Sequence, residues 1–390
     1  MVREAVRRLT DPPDALRRGP LRQGAFKSKL HDERVASWLG LALGVSFSLC
    51  FATGLLSHFI QHPPSFFTWP SRPAGLYRVT QGLHVTTGLA SIPLLLAKLW
   101  SVYPHLWTWP PVRNAAHLVE RISLLPLVGG SLFLLFSGLA NISLWYPWRF
   151  FFPAGHYSAA WITIGALVVH VGAKWAVIRA SLARGDASAG PDALERRRFL
   201  RMVAGLSGMV AVTTVGQTFR PLRDLALLAP RRPDVGPQGF PVNKTALGAG
   251  VVDPALSPEY RLIVDGNVER KLSLSLEQLR ALPQREATLP IACVEGWSAS
   301  KTWRGIPVRE LLDLAGAPAD AEVEVVSLQE RGLYKASILA RAHSSDEDSL
   351  LAMFVEGEEL HLDHGYPVRL IAPNRPGVMQ TKWVTRLTVA

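Results

Sequence analysis

Long uncharged apolar runs dominate the first half of the chain, and shorter patterned runs fill the second. Five stretches, approximately 35–60, 79–99, 122–145, 159–177 and 202–219, each hold about 20 predominantly apolar residues, the length of helix that spans a bilayer core. Aromatic residues suited to a membrane interface, Phe66, Phe67, Trp69, Trp107, Trp109, Tyr146 and Trp148, fall in the gaps. A Pro- and Gly-rich stretch at 220–258 separates this half from the next. Beyond it, 260–265 alternate as a strand ahead of a Gly266-Asn267 turn, 274–282 have helical period, and 308–314 form an amphipathic helix with Gly316 placed as C-terminal cap. Residues 322–328, 367–372 and 383–389 read as strands. The expected architecture is a membrane α-helical bundle, four helices plus a fifth anchor helix, followed by an α+β domain of about 150 residues. No internal repeat is evident.

Charge adds an orientation. The chain has 390 residues and a formal net charge of +11, which by itself could suggest nucleic acid. The basic residues instead crowd beside the apolar runs, where they act as topology signals, so no nucleic-acid partner is expected. Arg3, Arg7, Arg8, Arg17, Arg18, Arg22, Lys27, Lys29 and Arg34 precede the first run, in a tail read as disordered and without a cleavable signal peptide. Lys98, Arg113 and Arg121 lie between the second and third, and Lys174, Arg179, Arg184, Arg196, Arg197, Arg198 and Arg201 between the fourth and fifth. The opposite loops hold only Arg72, Arg78 and Arg149. That bias puts the N-terminus in the cytoplasm and everything after residue 219 outside. Glu195-Arg196-Arg197-Arg198-Phe199-Leu200-Arg201 resembles a twin-arginine export signal, with Glu195 where Ser or Thr is usual; a positive-inside cluster is the blander and compatible reading, and the export signal is favoured.

Ionisable groups in a membrane are costly and usually functional. His156 and His170 are fourteen residues apart, which places them ~21 Å apart along a helix and within ~40° of one face. One helix could thus hold a haem near each side of the membrane, since two neutral imidazoles on facing helices suit haem iron. By depth, His84 faces His156 and His117, read as preceding the third helix, faces His170, with His58 a rival for the outer haem. His62 and His105 lie in or beside interfacial loops and read as structural. This arrangement resembles bacterial membrane b-type cytochromes; no CxxCH is present for covalent haem.

Of the two cysteines, Cys50 lies inside an apolar run and Cys293 in the second half, so no disulfide framework is expected. Taken alone, Cys293 reads as a small buried apolar residue. Its setting changes that: Cys293-Val294-Glu295-Gly296-Trp297-Ser298 is followed by Trp303-Arg304-Gly305-Ile306-Pro307 and Leu311-Leu312. These motifs resemble the molybdopterin domain of the sulfite oxidase family and, within it, the catalytic subunit of bacterial periplasmic methionine sulfoxide reductase. The resemblance spans about residues 236–390. It implies that the Cys293 thiolate binds molybdenum beside a single pterin dithiolene, a role that suits a soft ligand. Asp363-His364-Gly365-Tyr366-Pro367-Val368-Arg369-Leu370-Ile371-Ala372-Pro373 and Lys382-Trp383 match a family segment that clamps the pterin. The resemblance implies cofactor contacts for His364 and Arg369, phosphate contacts for Gln380, Thr381 and Lys382, and a first pterin-contacting loop at Asn243 and Lys244. Read from residue type alone, Arg369 and Lys382 could equally be solvated charges beside strands. The segment with sulfite-binding arginines in sulfite oxidases is not recognisable; Ser298-Ala299-Ser300-Lys301 follow instead and could line the pocket or a surface loop.

The domain plan is a basic tail at 1–34, a cytochrome b domain at 35–180, a signal and fifth helix at 181–219, a linker at 220–240 and a molybdopterin domain at 241–390. The expectation is a multi-pass protein of the bacterial cell membrane, with molybdenum-molybdopterin and two b haems. It would exchange electrons between quinone or quinol and a small extracytoplasmic substrate, by oxygen-atom chemistry in the reducing direction. The alternative from another class is a haem-containing membrane protein whose outer domain binds a partner without catalysis.

Overall fold

The computed structural model describes residues 11–183, 191–215 and 220–390. Of the expectations above, Arg3, Arg7, Arg8, Arg184 and the end of the fifth run, 216–219, lie outside the described residues. Among the described residues, five helices are long and apolar enough to cross a membrane: α1 (Glu33–Gln61), α2 (Leu76–Val102), α3 (Ala115–Ile142), α4 (Phe152–Ala183) and α5 (Pro191–Val215). Each contains most of an expected run but begins earlier, because polar residues continue a helix where the apolar count stops. His117 therefore lies inside the first turn of α3 and does not precede it; the Asn114 side chain caps that helix by accepting the His117 N–H at 2.9 Å. Pro191 opens α5, a position where its missing N–H is harmless. The arginine cluster thus sits within the helix and not ahead of it.

The chain divides into two compact units. The first comprises the described residues up to Ala52 and His84–Thr213. Within it, α3 and α4 approach so closely at Gly130 that a Cβ there would lie 2.2 Å from Thr163 Oγ1, the close contact that small residues permit between apolar helices. Lys174 of α4 pairs with Glu120 of α3 at 2.6 Å. Lys29 pairs with Asp192 at 2.8 Å, and Arg196 lies 3.8 Å from Asp32.

The second unit comprises Thr53–Leu83 and Thr214–Ala390. It contains β1 (Arg261–Gly266), β2 (Leu272–Ser275), β3 (Arg285–Ala292), β4 (Ser298–Pro307), β5 (Val323–Ser327), β6 (Ala336–Leu339), β7 (Leu350–Val355), β8 (Glu358–Glu359), β9 (Arg369–Ile371) and β10 (Val384–Val389). One sheet runs β2-β1-β10-β5-β6, with β1 and β10 parallel; the other runs β3-β4-β7-β8, with β9 also paired to β7. The stretch expected to be helical at 274–282 splits. Leu272–Ser275 alternates and joins β1 as a strand, and a helix, α6 (Leu276–Ala281), starts only after Ser275 and Gln278 form a capping box. The amphipathic helix α7 (Val308–Ala315) buries Val308, Leu311, Leu312 and Ala315 in the main core and ends at Gly316 with φ +70°. Ser298–Lys301, open between pocket lining and surface loop in the sequence, are the first half of β4, paired to β3.

Segment Thr53–Leu83 is held to the rest of this unit by Asn374. Its Nδ2 donates to Pro70 O at 2.7 Å, its Oδ1 accepts from Tyr77 N at 2.7 Å, its N–H donates to Ala74 O at 3.1 Å, and its carbonyl accepts from Trp69 Nε1 at 2.7 Å. Asn374 has φ +55°, a left-handed conformation that Asn tolerates better than most side chains. Arg72 adds ion pairs to Asp346 at 2.9 Å and Asp348 at 2.5 Å.

Gly305, noted in the sequence as part of Trp-x-Gly-x-Pro, sits where the β4–β7 register shifts. A Cβ there would lie 2.1 Å from Leu351 O and 2.5 Å from Ala352 Cα. Backbone atoms cannot give way as a side chain would, so Gly305→Ala should destabilise this unit by about 2–4 kcal/mol. Thermal unfolding of the purified full chain checks it, and a midpoint equal to wild type would refute the close approach.

Candidate functional site

Cys293 follows β3 at the tip of the β3–β4 hairpin. The turn closes inside the protein: Cys293 N–H donates to Trp297 O at 2.9 Å and Gly296, with φ +90°, donates to Cys293 O at 3.1 Å. Cys293 is 3% exposed and Trp297 4%. Asn243 Nδ2 points at the Cys293 Sγ from 3.0 Å and also reaches Glu295 Oε1 at 3.2 Å. Arg231 fixes the Asn243 carbonyl oxygen at 2.9 Å, and Trp297 Nε1 donates to Glu295 Oε2 at 3.1 Å. Burial pushes the Cys293 thiol up to about 12, and the Glu295 charge adds to the shift. Burial likewise raises the Glu295 carboxyl, with Arg231 opposing. Positive charge beside the sulfur would favour the thiolate. Among the described residues no group of three His, Cys, Asp or Glu could hold a metal. A metal held by Cys293 would draw its further ligands from a cofactor, as the pterin dithiolene implied by the resemblance does.

The second cluster is cationic. Arg369 is fully buried, donating to His364 O at 2.9 Å and Gln380 O at 3.3 Å, while its Nε has no partner. Its guanidinium lies 5.0 Å over the Trp303 ring; Phe240 meets Trp303 edge-on and stacks on His364 at 3.6 Å. Lys382 Nζ donates to Lys244 O at 2.8 Å and Asp363 O at 2.7 Å. Burial lowers all three bases: Arg369 to about 9, Lys382 to about 7 and His364 to about 3. Arg369 further depresses both Lys382 and His364, and Lys244 depresses Lys382. Like charges crowded in a buried place are relieved by an anion, and a phosphate fits. Gln380 and Thr381 differ from these in kind. Gln380 closes a two-bond ring on the Ala372 backbone, both at 2.8 Å, and Thr381 Oγ1 meets Ser337 Oγ at 2.7 Å. Their side chains are committed internally, leaving only backbone for a ligand.

In the first unit, His84 and His156 come together, with ring centroids 6.4 Å apart and planes at 70°. Two imidazoles flanking one metal ion at ~2 Å from each nitrogen take about this separation. His84 Nδ1 is 2.8 Å from Cys50 O, and His156 Nδ1 is 3.1 Å from Ser137 Oγ, so both rings are oriented through the same nitrogen, as second partners of ligating histidines do. His170 Nδ1 is buried without a hydrogen bond. His117 is engaged elsewhere: Arg113 N–H lies 3.1 Å from its Nδ1 and Arg121 Nε 3.3 Å from its Nε2, of which a neutral ring can accept only one. His105 lends its carbonyl to Arg121 at 3.2 Å. His58 and His62 lie side by side in the second unit, with centroids 5.0 Å apart and planes tilted by 49°.

Glu295 belongs to the motif around Cys293, but Arg231, Tyr334 and Arg375 gave no sequence signal. Arg231 acts through Asn243. Tyr334, which donates to Gln61 Oε1 at 3.2 Å, is raised by burial and by the Cys293 charge. Arg375 is buried with donors on Ile338 O at 2.9 Å and Met379 O at 3.1 Å. A buried Arg after Pro-Asn and before Pro-Gly is the kind of punctuated loop that could have been singled out.

Parts of the chain are similar to known proteins. Residues 249–390 match the family described as oxidoreductase molybdopterin binding domain. The YedZ1 protein of Azospira oryzae, named for a subunit of protein-methionine-sulfoxide reductase, is 33% identical over 150 residues, 38% of this chain and 56% of that one. Sulfite oxidase of Gallus gallus is 35% identical over 166 residues, 35% of this chain and 36% of that one. The sulfane dehydrogenase SoxCD of Paracoccus pantotrophus is 28% identical over 34% of this chain and 39% of that chain, with a TM-score of 0.32. The chain thus spans little more than half of the first relative and about a third of the second. Residues 249–390, in which Cys293 is buried at the tip of the β3–β4 hairpin, are thus similar to the molybdopterin-binding domain of oxidoreductases.

Proposed function

We propose that this chain is a membrane-bound molybdopterin-dependent oxidoreductase that moves electrons between a quinone pool and a small substrate outside the cell. The observation that carries the reading is the occurrence together, in one unit, of a buried Cys293 with Asn243 on its sulfur and the cation cluster of Arg369, Lys382 and Lys244. Cys293 would hold molybdenum, and His84 with His156 and His117 with His170 would hold two b haems. When bound, these groups supply two-electron oxygen-atom chemistry and single-electron transfer. The chain's own residues do the rest. Asn243 directs an N–H at the sulfur and holds it in place. Arg369 and Lys382 take the phosphate, with the Gln380–Lys382 backbone beside them. Burial around Trp297 and Trp303 keeps water from the metal.

The five helices support a membrane location. Segment Thr53–Leu83, the connection between α1 and α2 with its flanking turns, belongs to the same unit as the molybdopterin domain. Both must then lie on one side of a bilayer, which agrees with the charge bias that sends both outside. Arg196 and Arg197 serve as the export address in this reading. Reduction of an oxidised substrate, of the sulfoxide kind, is the direction favoured by resemblance.

Cys293→Ser should leave the haem spectrum of the purified chain intact and abolish molybdenum-dependent turnover with sulfoxides, N-oxides or sulfite. Metal analysis and a substrate screen test it; normal turnover in the variant, or wild-type protein without molybdenum, would leave the partner-binding alternative standing. His156→Ala and His170→Ala should each remove about one of two haems while sparing molybdenum. Haem-to-protein ratios check this, and a wild-type ratio near one would overturn the two-haem assignment.

A further inference from the structure

Gln81 lies in the second turn of α2, near one end of a helix long and apolar enough to cross a membrane, and is 6% exposed. An amide buried at such a place is costly unless its donors and acceptors are matched. Its Nε2 donates to Val294 O at 2.7 Å, and its Oε1 is 3.5 Å from Tyr77 Oη. Val294 is the residue after Cys293, and its carbonyl belongs to the peptide joining Val294 to Glu295, the second peptide after the cysteine. Tyr77 is 1% exposed and packs with Ile60 and Ala292, the residue before the cysteine. Segment Thr53–Leu83 therefore touches the chain on both sides of Cys293, and touches it with one directed hydrogen bond.

From this geometry we infer that Gln81 is a positioning residue for the Cys293 thiolate, acting through the Val294 carbonyl. The inference rests on the molybdenum reading only for what the thiolate binds. The hairpin tip has few means of its own for fixing that peptide. Cys293 N–H and Gly296 N–H close the turn on Trp297 O and Cys293 O, and neither bond fixes the Val294 carbonyl. The 294–295 peptide lies inside the turn that Cys293 N–H and Gly296 N–H close, so its rotation shifts that turn and the Cys293 backbone that carries the sulfur. Gln81 removes that freedom. Asn243 acts on the sulfur itself, whereas Gln81 acts on the backbone that carries it. The Arg72 ion pairs to Asp346 and Asp348 secure the same segment at a distance from the hairpin tip and make a control.

The test uses the full chain in two states. In chain produced without molybdate, alkylation of Cys293 by iodoacetamide is followed by peptide mass, which separates it from Cys50. Gln81→Met, of similar length with no donor, and Gln81→Glu, with a carboxylate facing the carbonyl, should each speed Cys293 alkylation about five- to tenfold, the worth of one hydrogen bond to a buried carbonyl. Arg72→Ala should leave the rate at the wild-type value. In molybdenum-loaded chain, Gln81→Met should keep metal content and shift the electron paramagnetic resonance of the one-electron-reduced metal. Gln81→Glu carries both measurements should the methionine variant not accumulate. A rate within twofold of wild type, an equal acceleration in Arg72→Ala, or an unchanged spectrum at full metal content would each overturn the inference. The alkylation comparison needs no metal, so absence of molybdenum from the wild-type chain would sink the functional reading while still deciding the role of Gln81.

Discussion

The β3–β4 hairpin has to turn inside the protein, and that requirement organises the second unit. Hairpin turns normally lie in water, which satisfies their peptide groups; here the tip holds a cysteine with 3% exposure. Each polar group near the tip consequently needs a protein partner. Cys293 and Gly296 N–H bond within the turn, Trp297 Nε1 bonds Glu295, the sulfur receives Asn243, and the Val294 carbonyl receives Gln81. The sheet behind the turn is equally constrained, since β4 approaches β7 at Gly305 with no room for a side chain. The result is a rigid mount for one sulfur atom. A metal bound through a single protein ligand depends on such a mount, because no second ligand corrects an error in the first.

The cations show the opposite economy. Arg369, Lys382 and His364 are all less basic than in water because burial and mutual repulsion penalise their charged forms. Backbone carbonyls of His364, Gln380, Lys244 and Asp363 offset part of this cost. The unpartnered Nε of Arg369 marks what remains. An anion that binds the folded form alone would stabilise it by mass action. Cofactor affinity and fold stability are thus linked quantities in this unit.

Legibility followed physical range. The five long helices could be read because bilayer crossing demands an apolar length that little else needs. Their ends could not, since Asn114 and Pro191 start helices by local capping that an apolar count ignores. Cys293 and Arg369 were reached through motifs, and Gly305 within its motif has a steric reason visible only when β7 is in place. Strand β7 was missed: Leu350–Val355 is a continuous apolar run buried on both faces, which has no period to separate it from a core helix. Strand β4 hides behind Ser-Ala-Ser-Lys, which reads as loop until β3 pairs with it. Gln81, Arg231 and Tyr334 carry no local signature, because each is defined by a partner more than ten residues away in sequence.

Asn374 bears on how such a protein can be assembled from parts. All four of its polar groups are bonded to residues 69–77, and its left-handed backbone is set for that use. A cut after the fifth helix would yield a tidy continuous fragment by sequence, yet would strip Asn374 of every partner and uncover Ala292 and Met379, which pack against Ile60, Phe67, Trp69 and Tyr77. The fold is discontinuous where the sequence is modular. Exchange of either half with a homologous gene would have to carry the 53–83 segment and the Asn374 loop together, so the two halves are coupled as a unit of inheritance even though each has its own core.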